Sequence, residues 1–279
     1  MPLTYLVNPN HADGDLLGSI PTDDTDGLDR TTAESLLPAL VKEIDDLQEL
    51  LYAAGTHSML VIFQGMDTSG KDSTIRSVFK DVSPLGTQVA SFKVPTAAEL
   101  AHDFLWRIHA CTPEKGHIAV FNRSHYEDVL VVRVHELVPE PVWRARYTHI
   151  NNFEQLLVEN NTIIIKFYLH INKKEQKERL LAREKDVTKA WKLAPGDWQE
   201  RERWREYQRA YNDALRQCTT PAAPWHIVPA DKKWARNVGV ARAIIAALAP
   251  YRDDWMAKLE SMGNARRAEL ATMRKETKA

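Results

Sequence analysis

The stretch from Met59 to Phe79, MLVIFQGMDTSGKDSTIRSVF, constrains the fold more than any other part of the chain. The apolar, strand-forming run Met59 to Phe63 stops at Gly65. A loop holding Gly65, Gly70 and Lys71 follows, and Ile75, Val78 and Phe79 then share one helical face. Strand, glycine loop, lysine and helix, in that order, form the setting in which G-x-x-x-x-G-K works as a phosphate-binding loop. Glycines let backbone N–H groups turn inward without a Cβ clash, and the helix start adds the positive end of its dipole. The predicted cradle comprises Gly65, Thr68, Ser69, Gly70, Lys71, Asp72 and Ser73, with the Lys71 ammonium on the outer phosphates. The competing reading is a chance match in an ordinary strand–turn–helix.

Two residues depart from the usual loop. The position after the lysine normally carries Ser or Thr, whose hydroxyl ligates Mg²⁺; here it is Asp72. A carboxylate in the first helical turn complements the dipole, and Asp72 is read that way. Asp67 lies inside the loop itself. A bare carboxylate repels a polyanion by about 4 kcal/mol per charge pair at ~4 Å and effective dielectric ~20. A hard cation between them reverses that sign, so Asp67 is expected to be a Mg²⁺ ligand.

Charge narrows the partner. The net charge of −1 hides an asymmetry: residues 1–57 hold eleven Asp/Glu against two Lys/Arg, and the other 222 residues carry a net +8. The part with the phosphate loop is therefore basic, which suits a polyanionic substrate and equally suits nucleic acid. Cys111 and Cys218 are too few and too far apart for a disulfide framework or a metal cluster. No apolar run approaches the ~20 residues that span a bilayer, and no signal-peptide pattern opens the chain. A cytoplasmic location with no membrane partner is the expectation.

Alternating patterns predict an α/β fold. Residues 1–31 are acidic, rich in Asp, Gly, Pro and Thr, and read as an extended or disordered arm. A core of residues 32–250 begins with a helix over Thr32–Tyr52, striped by Leu36, Leu40, Ile44, Leu47 and Leu51. Strands are predicted at 59–63, 88–92, 117–121, 162–169 and 225–228, giving a five-stranded parallel sheet covered by helices on both faces. Helices are expected over 97–110, 142–159, 172–183 and 234–248, with a helical tail over 251–279.

A second polar cluster follows the third strand: Asn122, Arg123, Ser124, His125, Tyr126, Glu127 and Asp128. Ligands of open α/β sheets collect beyond the carboxyl ends of strands, so this cluster is expected to face the loop. Asn122 takes the place where many P-loop enzymes carry an aspartate. Arg123 can clamp phosphate bidentately, and Asp128 offers a second hard-oxygen ligand. His125 and Tyr126 are as consistent with packing as with function, and Glu127 reads as structural. Arg133 is a candidate for an acceptor phosphate. Between Lys166 and Arg216 stand fourteen Lys/Arg against nine Asp/Glu. With the break at Pro195-Gly196, this reads as a helical lid over about 180–200 whose Arg183, Lys185, Lys189 and Lys192 close on phosphate. Trp198, Trp204, Tyr207 and Tyr211 are read as core.

Taken together, GMDTSGKDSTIR (65–76), FKVPTAAELAHDFLWR (92–107), FNRSHYEDVLVVRV (121–134), the lid with its AWK, and APWHIVPADKKWARN (223–237) resemble the polyphosphate kinase 2 family. The likeness runs from about Leu47 to Leu248. Asn122 and the Glu127-Asp128 pair resemble its class III, which phosphorylates nucleoside mono- and diphosphates. The resemblance implies a thymidylate-kinase-like core that moves phosphoryl groups between inorganic polyphosphate and AMP, ADP or ATP, with guanine nucleotides as further substrates. It implies Asp67 and Asp128 on Mg²⁺ (or Mn²⁺), and Lys71 and Arg123 on the transferring phosphates with Asn122 between them. It further implies Asp128 and Arg133 toward the nucleotide, Arg183 from the lid, and a homo-oligomer, dimer or tetramer, to which the 36–51 stripe contributes. An ATP-dependent nucleotide kinase is the alternative. A GTPase switch lacks its N-K-x-D signature, and a nucleic-acid module does not need two metal-binding carboxylates.

Overall fold

The computed structural model describes residues 3–8, 14–188 and 195–277. The elements are β1 (Tyr5–Leu6), α1 (Arg30–Ala54), β2 (Ser58–Gln64), α2 (Lys71–Phe79), β3 (Thr87–Ser91), β4 (Ile118–Asn122) and α3 (Glu140–Glu159). They continue with β5 (Thr162–His170), α4 (Lys173–Lys185), α5 (Pro195–Glu202), α6 (Trp204–Gln217), β6 (Trp225–Pro229), α7 (Lys233–Leu248) and α8 (Arg252–Glu276). Short helical turns over Ala97–Leu100 and Trp106–His109 replace the continuous helix expected over 97–110. The Thr96–Glu99 capping box starts the first turn, and Asp103 Oδ1 accepts the Leu105 N–H at the start of the second. Local side-chain bonds compete here with helix continuation.

The sheet runs β1-β6-β5-β2-β4-β3. Five strands are parallel, as expected, but the sheet has six: β1 pairs antiparallel with β6 through Tyr5–Ile227 and Leu6–His226. The five-stranded expectation is thus corrected by a two-residue strand. Every residue of β2 is buried, the mark of a central parallel strand covered on both faces. Alternation along β5 sends Lys166 and Tyr168 toward α3 and α6, where Lys166 meets Glu154 and Tyr168 meets Tyr211. The other layer is formed by α1, α2 and α7.

Helix α1 begins at Asp29, whose carboxylate accepts the Thr32 N–H at 2.9 Å, and ends at Gly55 in the left-handed region. Its stripe packs on α7 within the chain, with Ile44 and Leu51 fully buried. Each such side chain contributes roughly 1.5–3 kcal/mol. Ile44, Leu47 and Leu51 are thus already covered, which removes them from the oligomer contact anticipated for the stripe.

The opening segment is likewise ordered by packing where it is described. Leu3, Val7, Leu16 and Leu17 are buried. The Val7 N–H donates to Trp225 O at 2.8 Å, and the Leu17 N–H donates to Asn212 Oδ1 at 3.0 Å. The extended arm is therefore a packed one, held by contacts that no local periodicity announces.

Candidate active site

The glycine loop expected to bind phosphate spans the step from β2 to α2. Gly65 (φ 151°) and Gly70 (φ 105°) hold backbone that side chains disfavour. A Cβ on Gly65 would sit 2.8 Å from Leu169 O, and one on Gly70 would run into the Arg236 guanidinium. Gly65 is therefore required by space as well as by conformation, and Gly70 by its positive φ. Lys71 is buried and folds back over the loop, donating to Gly65 O at 2.7 Å and Met66 O at 3.3 Å. Burial, with the Arg123 charge nearby, brings its ammonium pKa down to about 8. Thr68 Oγ1 and Ser69 Oγ are buried hydroxyls without a hydrogen-bond partner among the described residues. Donors of that kind inside a glycine loop fit phosphate oxygens.

Register brings the second cluster to this loop. Phe63 of β2 lies opposite Asn122 of β4, so the residues after each strand emerge side by side. Arg123 takes a left-handed conformation (φ 62°) rare for a non-glycine residue, as does Thr68 (φ 63°). Strained backbone of this sort gathers at functional sites. Arg123 Nη2 donates to Asp67 Oδ1 at 2.8 Å and Nη1 to Glu127 Oε2 at 3.2 Å. Glu127 first, then Asp67, hold the guanidinium firmly protonated. Asp67, Arg123 and Glu127 line a cleft together with Glu200, Tyr207 and Tyr211. Glu127, read as structural, is thus in direct contact with a predicted site residue. The two tyrosines are core side chains and cleft walls at once.

The remaining predicted residues divide. Asn122 Nδ2 donates to Asp72 Oδ1 at 2.8 Å, tying β4 to the first turn of α2. Ser73 Oγ donates to Gly70 O at 2.9 Å. Asp128 is buried, and burial raises its carboxyl pKa to about 6 despite Arg146, whose Nη1 donates to Asp128 Oδ1 at 2.9 Å. Arg183 Nη1 donates to Asp197 Oδ2 at 2.8 Å, so α4 and α5 of the lid region meet through this pair. Arg133 stacks over Trp143 at 4.5 Å and donates to Asp213 Oδ2 at 2.6 Å. It lines a neighbouring groove of about 1010 Å³ rather than the cleft at the loop. Lys189 and Lys192 lie outside the described residues.

Sequence reasoning missed a set of braces behind the loop. Arg179 Nη1 donates to Thr68 O at 3.0 Å and Ser69 O at 2.8 Å, and Gln176 Nε2 donates to Asp67 O at 3.2 Å. Arg236, fully buried with its pKa brought down to about 9 by desolvation and by Arg179, reaches Ser73 Oγ at 3.1 Å. Arg179 stands four residues before Arg183 on α4, so helical spacing could have found it. Arg236 lies in the quoted KKWARN run without a pattern that marks it.

A mixed six-stranded α/β sheet with a glycine loop between a parallel strand and a helix, a buried lysine and the arginine that follows the neighbouring strand is an arrangement suited to a phosphotransferase. The profile of the Polyphosphate kinase 2 (PPK2) family matches residues 27–254, and the chain belongs to that family. It is 50% identical over 228 residues to an AMP/ADP-polyphosphate phosphotransferase of Meiothermus ruber, covering 81% of this chain and 85% of that one. It is 44% identical over 253 residues to an ADP-polyphosphate phosphotransferase of Rhodopseudomonas palustris, covering 86% of each. The crystal structure of polyphosphate kinase 2 from Arthrobacter aurescens TC1 superposes with a TM-score of 0.85 at 39% identity, covering 88% of each chain.

Proposed function

We propose that this protein transfers phosphoryl groups between inorganic polyphosphate and nucleoside mono- and diphosphates, carrying AMP to ADP and ADP to ATP, with guanine nucleotides as further acceptors. The observation that carries the reading is the convergence of Lys71, at the start of α2, and Arg123, just after β4, on one glycine loop in a member of this family. Phosphoryl transfer asks little covalent chemistry of the protein; it needs in-line placement and cations facing the developing charge. Lys71 and Arg123 supply those cations, the loop N–H groups orient the donor, and Tyr207 and Tyr211 keep water from the cleft.

Mg²⁺, or Mn²⁺ in its place, fits the donor set. Among the described residues no group of three or more His, Cys, Asp or Glu could hold a metal ion by itself. Mg²⁺ takes one or two carboxylates and completes its shell with phosphate oxygens and water. Asp67 and Asp128 are the carboxylates we assign to it, and the ion would neutralise charge on the bridged phosphates. Asp67 also orients Arg123, so one carboxylate serves metal and guanidinium together. Arg183 and Lys192 belong to the donor's distal phosphates in this reading, and Arg133 to the nucleotide. A homo-oligomeric assembly completes the proposal; light scattering tests it.

The test is turnover with ADP or AMP, long-chain polyphosphate and Mg²⁺, with no ATP added. ATP should appear from ADP, and ADP followed by ATP from AMP. The ATP-dependent alternative gains if ATP is a good donor to mononucleotides while polyphosphate gives no product.

A further inference from the structure

The arm before residue 27 precedes the family match, yet it joins the turn that, through Arg179, holds the phosphate loop. Thr22 Oγ1 donates to Asp231 Oδ2 at 2.6 Å, and the Asp231 N–H donates to Thr22 O at 3.0 Å. Asn172, the cap of α4, joins the same knot: its Nδ2 donates to Asp231 Oδ2 at 2.6 Å and to Thr22 Oγ1 at 3.0 Å. Asp231 belongs to the turn between β6 and α7. The carbonyls of that turn hold one end of Arg179, whose Nη2 donates to Ala230 O at 2.6 Å and Asp231 O at 3.2 Å. The other end of the same guanidinium holds Thr68 O and Ser69 O in the loop.

The arm is anchored a second time ahead of this knot, at Leu17. His170 Nε2, at the carboxyl end of β5, is 3.1 Å from Leu17 O, and Asn212 of α6 receives the Leu17 N–H. A planar guanidinium with its donors in a fixed fork transmits position between the two sets of carbonyls it spans. The Ser69 carbonyl held by Arg179 fixes its peptide plane, so the Gly70 N–H points the opposite way, while the Ser69 N–H closes the turn on Met66 O at 3.0 Å. Peptide planarity makes that link rigid.

We propose that the N-terminal arm is a positioning element of the phosphate loop, acting from Thr22 through Asp231 and Arg179. The inference rests on the phosphate-site reading above. It places Thr22 and Arg179 outside contact with substrate and gives them a measurable share of phosphate affinity and turnover.

Binding of inorganic tripolyphosphate to the full chain, by titration calorimetry, is the direct readout, with kcat measured beside it. Thr22→Val should weaken tripolyphosphate about threefold to tenfold and lower kcat in step, as loss of hydrogen bonds of ordinary net strength implies. Thr22→Ser should restore both. Arg179→Lys, which keeps charge but not the fork, should weaken binding tenfold or more, and Thr22→Val should add little in that background. Full additivity of the two substitutions, or wild-type binding and kcat in Thr22→Val, overturns the proposal. A fall in melting temperature with unchanged tripolyphosphate affinity also overturns it, because the arm would then be structural only. A wild-type chain that binds no tripolyphosphate overturns the phosphate-site reading, and the inference with it.

Discussion

At the scale of single residues, the site rests on cations held close to carboxylates. In the proposed function Arg123→Ala or Lys71→Ala removes a cation from the transferring phosphoryl group. Turnover should fall about 100-fold or more in a folded variant, the range for transition-state donors; steady-state kinetics beside a melting curve checks it. In the proposed function Asp67→Asn removes a Mg²⁺ ligand as well as the carboxylate that orients Arg123, so the Mg²⁺ titration should shift sharply upward; an unmoved titration discards the ligand role. Lys71 adds a pH signature. Its ammonium pKa is brought from 10.5 to about 8 by burial. In the free enzyme kcat/KM for the donor should decline as pH rises through about 8, while kcat declines later because bound phosphate holds the proton on. Stability moves the other way: between about 8 and 10.5 the unfolded chain keeps a proton the folded one has lost, so unfolding free energy rises with pH across that window. Paired activity and denaturation profiles separate the two effects.

Among the elements, the segment after β4 is held from behind by a buried polar cluster. Lys166 Nζ donates to Glu154 Oε2 at 2.6 Å, to Tyr126 OH at 2.9 Å and to Cys218 O at 2.6 Å. Tyr126 OH donates to Glu154 Oε1 at 2.7 Å, and His125 shares that oxygen. Burial pushes the Glu154 carboxyl up, but Lys166 and His125 bring it below its usual range. One ammonium thereby joins β5, α3, the 125–128 turn and the end of α6. Lys166→Met should cost roughly 3–5 kcal/mol by stranding Glu154, and Lys166→Met with Glu154→Leu should recover most of it. Denaturant titration of the single and double variants decides. The strand pattern of β5 was legible as an apolar run, but Lys166 within it was not legible as a core residue. Its partners come from three other elements.

Across the whole molecule, charge is divided rather than scarce: the acidic first part is set against a basic remainder. An extended polyanion engages several cations of the basic part at once, and each phosphate neutralised adds a salt-dependent contribution. The KM for polyphosphate should therefore rise more steeply with ionic strength than the KM for ADP. Parallel slopes in a salt series would remove the extended-polyanion argument. What the chain revealed by itself was what local chemistry dictates: the glycines and lysine of the loop, the apolar runs of the parallel strands, the periodic helices and the charge division. Each of these is written within a few residues of its own consequence. Only the tertiary structure decided the rest. The strand at Tyr5–Leu6 is too short for any period and exists because β6 offers it an edge. The stripe of α1 could face α7 or another copy until packing chose α7. Arg179, Arg236 and Arg146 hold carbonyl and carboxylate oxygens brought to them by other elements, and a side chain's distant partner leaves no mark on the residues beside it.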